Sequence, residues 1–381
     1  MGRRLFFFPF PARKGSEEHT LMQMDSETRA RRWSSLQNKA SKLQADAVLG
    51  QAADALEDMD AKVRALPDKM RTLRAKGYRY ARPLDESAAQ MVHDWPDVRR
   101  QAGEALRRSR AALGNLDSEM ARALAQGRRA VTQEEMDAAD DMLERLEDRI
   151  ARAASDVKGA FDGFGRRVAA LEGRIDHLLW AAEQWAEASF DIYPDEALVD
   201  ACKARWMTRD DEGPKGIFFL TDARVVMEQK EKVATKKVLF ITTEKKQVQA
   251  MQFAAPIGAV EVLEATDARG GFLGLGKREM LTLRFTAATE GKRIPKAVLR
   301  LLGGADNEKW AARIKQVQRG DIAQEAIESA QPQATPSENA AATPPREIPT
   351  HCPSCGALFT QSVVKGMREL RCTYCGAVVR L

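Results

Sequence analysis

Four of the five cysteines in this 381-residue chain form two Cys-x-x-Cys pairs near the C-terminus, Cys352 with Cys355 and Cys372 with Cys375. Each such turn aims two sulfurs at one point. Together the turns supply the four thiolates that zinc binds tetrahedrally at about 2.3 Å. Gly356 and Gly376 follow the pairs, where the backbone must turn tightly beneath an ion. Four thiolates close the coordination sphere and leave no position for water, so the predicted chemistry is structural, with one zinc and no catalysis. Iron takes the same ligands, and spacing alone leaves both metals open. Two disulfides are the alternative for an oxidising compartment, to which the sequence shows no route. His351 adjoins the first ligand and reads as a surface residue.

The stretches Cys352-Pro-Ser-Cys-Gly and Cys372-Thr-Tyr-Cys-Gly-Ala resemble the two knuckles of a zinc ribbon, and the resemblance covers residues 351–381. So short a module buries too little apolar surface to fold alone, so metal binding is expected to supply most of its folding free energy. Phe359, Val363, Val364, Leu370, Val378 and Val379 are its expected core. Lys365, Arg368, Arg371 and Arg380 against Glu369 give a formal +3. Four thiolates and one divalent ion subtract two, leaving about +1. That charge attracts phosphate weakly, so nucleic acid ranks below a protein as the ribbon's expected partner.

The rest of the chain must position this clip. Residues 17–192 are rich in Ala, Arg, Glu, Asp and Leu, with apolar positions stepping by three and four, the period of helices burying a seam. One run passes Trp33, Leu36, Ala40 and Leu43, and a second passes Leu49 to Leu73. Pro67 marks a kink and Gly77–Pro83 a turn. Asp85 is placed to cap the next helix, whose seam runs from Ala88 through Leu113 and Leu116 to Leu124, with Pro96 distorting it early. Thr132 and Glu135 form a capping box for the longest helix. Gly159, Gly163, Gly165 and Gly173 within it predict a flexible joint or a close helix crossing, with a break into two helices as the rival. Mixed charges on the polar faces read as solvated helix surfaces, and His93 and His177 as histidines without a partner set. The region is expected to be a coiled coil or bundle, hairpin or otherwise, capable of self-association. In composition and length it is loosely similar to the helical hairpins of phage-shock and ESCRT-III-like membrane remodellers.

From Tyr193 the texture becomes β-rich, in short runs: 198–207, 216–220, 224–229, 237–242, 247–253, 258–266, 279–286 and 296–302. Such runs predict a sheet closed on itself or folded into a sandwich. Asp306 then caps a helix that places Trp310, Ile314 and Val317 on one face. Within this region Gly216-Ile-Phe-Phe-Leu-Thr-Asp-Ala-Arg-Val-Val-Met-Glu228 resembles the hairpin of GRAM and bacterial pleckstrin-homology domains. That resemblance implies a pleckstrin-homology-like barrel closed by its last helix, binding lipid headgroups or peptides without catalysis. Thr221-Asp222 makes the turn, and Phe219, Val225 and Met227 alternate into the core. The loop Arg269-Gly-Gly-Phe272-Leu273-Gly-Leu275-Gly-Lys277-Arg278 lacks the spacing of a phosphate-binding loop. Its apolar residues flanked by cations suit a tip that enters an anionic bilayer, or one that folds back onto the barrel.

Composition bounds the whole. A charged fraction of 30% and 6% aromatic residues point to much exposed helix, and no apolar stretch is long enough to span a bilayer. The formal +5, spread over this length, permits attraction to anionic surfaces without requiring it. Cys202, left without a pair, suits a reducing cytoplasm. Leu5–Phe10 is too short and too proline-broken for a signal peptide, and reads as a segment packed on a neighbour or dipping into a bilayer; Gly2 lacks the hydroxyl residue of a myristoylation signal. The expected organisation is an N-terminal apolar and basic segment (1–16), helices (17–192), the pleckstrin-homology-like domain (193–320), a flexible Ala/Pro-rich linker (321–349) letting the ribbon search space independently, and the ribbon (350–381). No catalytic constellation is visible. The expectation is a cytoplasmic, non-enzymatic adaptor at the inner face of the membrane, with a nucleic-acid-associated factor or an accessory subunit of a separate enzyme as the alternatives.

Overall fold

The computed structural model describes residues 24–209, 212–238, 241–269, 277–327 and 349–381. The N-terminal segment, including Gly2 and Leu5–Phe10, and most of the predicted linker lie outside these residues. The chain divides into two compact units, one comprising the residues up to Ala61 with Trp95–Gly165, the other Lys62–Asp94 with Arg166–Leu381. Contacts thus group part of the helical region with the sheet. The 3.6-residue period identifies a helix and says nothing of what that helix packs against.

Five helices contribute to the first unit: α1 (Ser26–Asp46), α2 (Gly50–Ala75), α3 (Arg82–Ala112), α4 (Leu116–Arg129) and α5 (Gln133–Ala186). Asp25 caps α1 by accepting from the amides of Glu27 and Thr28 at 3.0 and 2.9 Å. The capping box at α5 is formed as expected: the Glu135 amide donates to Thr132 Oγ1 at 3.3 Å, and Glu135 Oε2 accepts from the Thr132 amide at 3.2 Å. Leu36, Leu43, Leu116, Met120, Met136 and Leu143 share one core, which makes this unit a bundle. Three expectations change. The seam read as one helix over 88–124 is broken at Leu113–Asn115; Leu113 and Leu116 are both buried, so the apolar period continues across a turn that it cannot reveal. Asp85 lies in the first turn of α3, which starts at Arg82. The glycine-rich stretch does not break α5, which runs 54 residues. Gly165 is instead a close crossing, since a Cβ there would lie 2.9 Å from Met59 Cε.

The second unit is built on an eight-stranded antiparallel sheet: β1 (Leu198–Trp206), β2 (Lys215–Thr221), β3 (Arg224–Val238), β4 (Ile241–Pro256), β5 (Val260–Arg269), β6 (Lys277–Phe285), β7 (Glu290–Gly291) and β8 (Lys296–Leu301), in the order β5-β6-β8-β1-β2-β3-β4-β7. The run 237–242 is no separate strand: Lys237 and Val238 end β3, and Ile241 and Thr242 begin β4. The sheet is open: β5 and β7 end it, so no closed ladder exists among the described residues. Pro256 ends β4, and a 3₁₀ turn at Ile257–Ala259 carries the chain to β5 without pairing the two strands. A proline that donates no hydrogen bond suits that corner.

Phe219, Val225 and Met227 are buried as the alternation predicts, but so are Phe218, Leu220 and Val226. Both faces of β2–β3 are covered. Trp185 and Phe190 meet the Phe219 ring edge-on at 5.6 Å, while Trp310 of α6 (Asn307–Arg319) lies 5.3 Å from Phe218. Asp306 caps α6, accepting from the Lys309 amide at 2.9 Å, and Trp310, Ile314 and Val317 are buried as expected.

The β2–β3 turn is fastened by buried polar groups. Thr221 Oγ1 accepts the Arg224 amide at 2.9 Å and lies 2.8 Å from Glu196 Oε1. Arg224, only 3% exposed, donates to both oxygens of Glu196 at 2.9 and 3.0 Å and to Glu290 at 3.1 Å. Asp222 takes the Ala197 amide at 2.9 Å and the Tyr80 hydroxyl at 2.7 Å. The motif that resembles a domain family is thus, physically, a turn and a buried ion-pair network. His177 also has a partner, contrary to expectation: Nε2 lies 2.7 Å from Asp200 Oδ1, and Arg174 donates to Oδ2 at 2.9 Å. Residues 321–327 correct the linker's start. Ile322 is buried, and Glu325 pairs with Arg313 at 2.7 Å, contacts that a composition averaged over 321–349 hides.

Leaving a buried charge without its partner is strongly destabilising. Arg224→Leu is therefore expected to cost roughly 3–5 kcal/mol in urea unfolding; a loss below about 1 kcal/mol would contradict the network's role. Burial pushes the Asp200 carboxyl up, but the His177 hydrogen bond and the Arg174 charge outweigh it and leave the pKa below 3.8. A depressed folded pKa contributes stability that is full above the unfolded value and lost as pH falls through the folded one. Below about pH 4, wild type should therefore lose stability more steeply than Asp200→Asn, which parallel acid limbs would disprove.

Candidate metal centre

Each knuckle closes the same way. The Cys352 amide donates to Ala357 O at 2.8 Å and the Gly356 amide to Cys352 O at 2.8 Å; Cys372, Ala377 and Gly376 repeat both bonds at 2.8 and 2.9 Å. Gly356 and Gly376 hold φ of 73° and 75°, the left-handed turn that their sequence position predicts. The second knuckle lies between β9 (Glu369–Arg371) and β10 (Val378–Arg380), a short antiparallel pair.

This folding gathers Cys352, Cys355, Cys372 and Cys375 with their Sγ atoms all within 4.8 Å of one another. Cys352 Sγ lies 3.6 Å from Cys375 Sγ, and Cys355 Sγ lies 3.5 Å from Cys372 Sγ. A tetrahedron with bonds of about 2.3 Å has edges of roughly 3.8 Å, so the four sulfurs fit one ion. All five cysteines are free thiols. Backbone amides also prepare the site for a cation. The Cys375 amide, with that of Tyr374, holds the Cys372 thiol down to about 6. The Ala357 amide favours the Cys355 thiolate, but hydrogen bonds with Cys375 and Cys372 push that thiol up to about 12. A metal removes the conflict by taking all four as thiolates.

The ribbon's expected core is mostly absent. Among its apolar side chains only Leu370 is buried; Phe359, Val364 and Val379 are half-buried, and Val363 and Val378 are exposed. A two-knuckle module has one inner face, which Cys352, Cys372 and Leu370 fill.

Nor does the ribbon stand apart from the sheet. The Gly258 amide donates to Lys365 O at 2.9 Å, and Lys365 Nζ donates to Val317 O, near the C-terminus of α6, at 2.6 Å. Gly366, at φ 84°, packs so closely that a Cβ there would lie 1.9 Å from Ala223 O. The Arg368 guanidinium lies 4.8 Å from the Tyr193 ring centroid, and Arg224 lies 3.9 Å from the same ring. A cation–aromatic–cation stack thus joins the ribbon to the buried network at the β2–β3 turn. Sequence reasoning missed this seat. Its one legible mark is Gly366, a glycine distant from both knuckles.

The other predicted site residues are not gathered with the cysteines. Arg269 and Lys277 pair at the ends of β5 and β6, and Arg278 is half-buried in β6. Phe272, Leu273 and Leu275 lie outside the described residues. Cys202 is buried in β1, and burial pushes its thiol well up, so it neither reacts nor joins the metal set.

No protein-family model matches the chain, and no curated protein does. Solved structures overlap it loosely. The complex of PDZ-RhoGEF DH/PH domains with GTP-gamma-S activated RhoA is 13% identical, covering 71% of this chain and 94% of that one, with a TM-score of 0.23. Human RhoA in complex with a DH/PH fragment of PDZ-RhoGEF gives 11%, 78%, 96% and 0.24. The DH/PH domains of p115-RhoGEF give 13%, 76%, 90% and 0.21. At these scores the likeness transfers no function.

Replacing Gly366 by valine should unseat the ribbon without touching a ligand. Limited proteolysis is expected to cut Gly366→Val between residues 350 and 370 at least about tenfold faster than wild type, with metal content unchanged. Equal cleavage rates would show that this contact does not hold the ribbon.

Proposed function

We propose that the chain is a non-enzymatic adaptor whose ribbon, clipped by one structural zinc, docks a protein partner. The observation that carries this reading is the ribbon's outer surface. Tyr374 is 75% exposed and Leu358 57%, with Val363 and Val378 also exposed, on a module whose shape the cysteines fix. Large apolar side chains held in water on a rigid frame suit a protein contact. The balance near +1 makes a poor magnet for nucleic acid.

The sheet followed by one amphipathic helix supports a pleckstrin-homology-like reading of the second unit, with a membrane surface or peptide as its ligand. No helix among the described residues is long and apolar enough to cross a membrane. In this proposal attachment is peripheral, at the cytoplasmic face, through the 269–278 loop, while the bundle supports self-association.

Two measurements test the proposal. Tagged full-length chain should capture a discrete protein from native extract, and both Leu358→Ser/Tyr374→Ser and Cys372→Ser should lose it; capture unchanged in both variants defeats the docking role. Flotation with anionic vesicles should be abolished by Phe272→Asp/Leu275→Asp, and flotation equal to wild type removes the loop from the proposal.

A further inference from the structure

A cavity of about 730 Å³ opens within the second unit, away from the cysteines. Its wall combines β1, the segment of α5 around Arg174–Trp180, the start of α6 and the turn after β8. That volume falls in the range of small-molecule sites, which join apolar walls to a few placed polar groups. The half-buried indole of Trp180 and the side chains of Leu84 and Leu302 supply apolar surface.

The charges decide what such a ligand would be. Three carboxylates line the cavity, and each is already engaged. Asp200 holds His177 at 2.7 Å and Arg174 at 2.9 Å, and also accepts the Ala201 amide at 2.9 Å. Glu325 holds Arg313 through both oxygens at 2.7 and 2.8 Å and accepts from Gln316 at 2.6 Å. Asp306 caps the Lys309 amide. Two cations remain, Lys203 from β1 and Lys309 from α6, both exposed and neither with a carboxylate partner among the described residues. The Lys203 ammonium lies 5.9 Å from the Trp180 ring centroid, so positive charge and flat apolar surface adjoin. With Asp200 and Glu325 each paired to a fixed basic side chain and Asp306 held at a helix cap, the cavity offers an anion two ammonium groups.

We propose that this cavity binds a soluble small organic anion, an aryl or similarly flat apolar body carrying a phosphate or carboxylate, with the anion between Lys203 and Lys309 and the body against Trp180. The site is separate from the metal centre, and the proposal does not depend on the ribbon's partner. Cys202 lies in the same wall and takes no part in chemistry, because burial keeps its thiol protonated.

Fluorescence titration of the full chain with anilinonaphthalene sulfonate tests the site, since the dye is itself a flat aryl anion. One saturable site is expected, weakened roughly tenfold or more in Lys203→Glu/Lys309→Glu, largely retained in Lys203→Arg/Lys309→Arg, and unmoved by Leu358→Ser/Tyr374→Ser. In wild type, phenyl phosphate should displace the dye at concentrations where phenol and inorganic phosphate do not. This arm needs no variant, so it decides even if the charge-reversed chain misfolds. Unchanged affinity in a folded charge-reversed chain, or displacement by phenol as effective as by phenyl phosphate, overturns the proposal. Displacement by phosphatidylserine vesicles but not by phenyl phosphate overturns the soluble ligand in favour of a lipid headgroup.

Discussion

Four sulfurs held within 4.8 Å of one another are the constraint on which the C-terminal module depends. Among its apolar side chains Leu370 alone is buried, far too little surface to offset the conformational entropy of thirty ordered residues. A tetrahedral ion between the knuckles would supply the missing free energy, because metal binding is coupled to folding. Two short strands and two left-handed glycines frame the sulfurs, while Lys365 and Gly366 seat the module on the sheet. An exposed tyrosine and leucine then become a defined surface instead of a loose tail.

The sheet supplies the second constraint. Arg224 and Glu196 are buried together under the β2–β3 turn, an arrangement that tolerates neither partner alone. Through Tyr193, the same arginine shares a stack with Arg368 of the ribbon. Metal clip and sheet core are therefore mechanically connected. Unseating the ribbon would expose Tyr193 and the Gly258 amide along with the ribbon's own groups.

Much of this was legible because the relevant signals are local. The cysteine spacing, the glycines beneath it, the Thr132–Glu135 box and the Asp306 cap each involve residues within a few positions, where chain geometry leaves few alternatives. Strand positions were legible for the same reason, apart from the two-residue β7 and the run 237–242, whose described residues divide between β3 and β4. What could not be read depends on distant residues meeting. Phe218 and Phe219 are both buried because helices cover both faces of the hairpin, and no alternation reports that. The seat of Gly366 on Ala223, the partner of His177 and the open end of the sheet are facts of tertiary packing. The break between α3 and α4 was hidden for the opposite reason: the apolar period runs on across a turn. The cavity gave no sign at all, since Lys203 and Lys309 stand 106 positions apart.

The ion is the most direct point of test. Native mass spectrometry of the full-length chain, purified without added metal or chelator, should show one zinc per chain, and Cys372→Ser should show none. Wild-type chain that keeps the ribbon seated and resistant to protease with no metal bound, or whose four sulfurs prove to be joined in pairs, would contradict it.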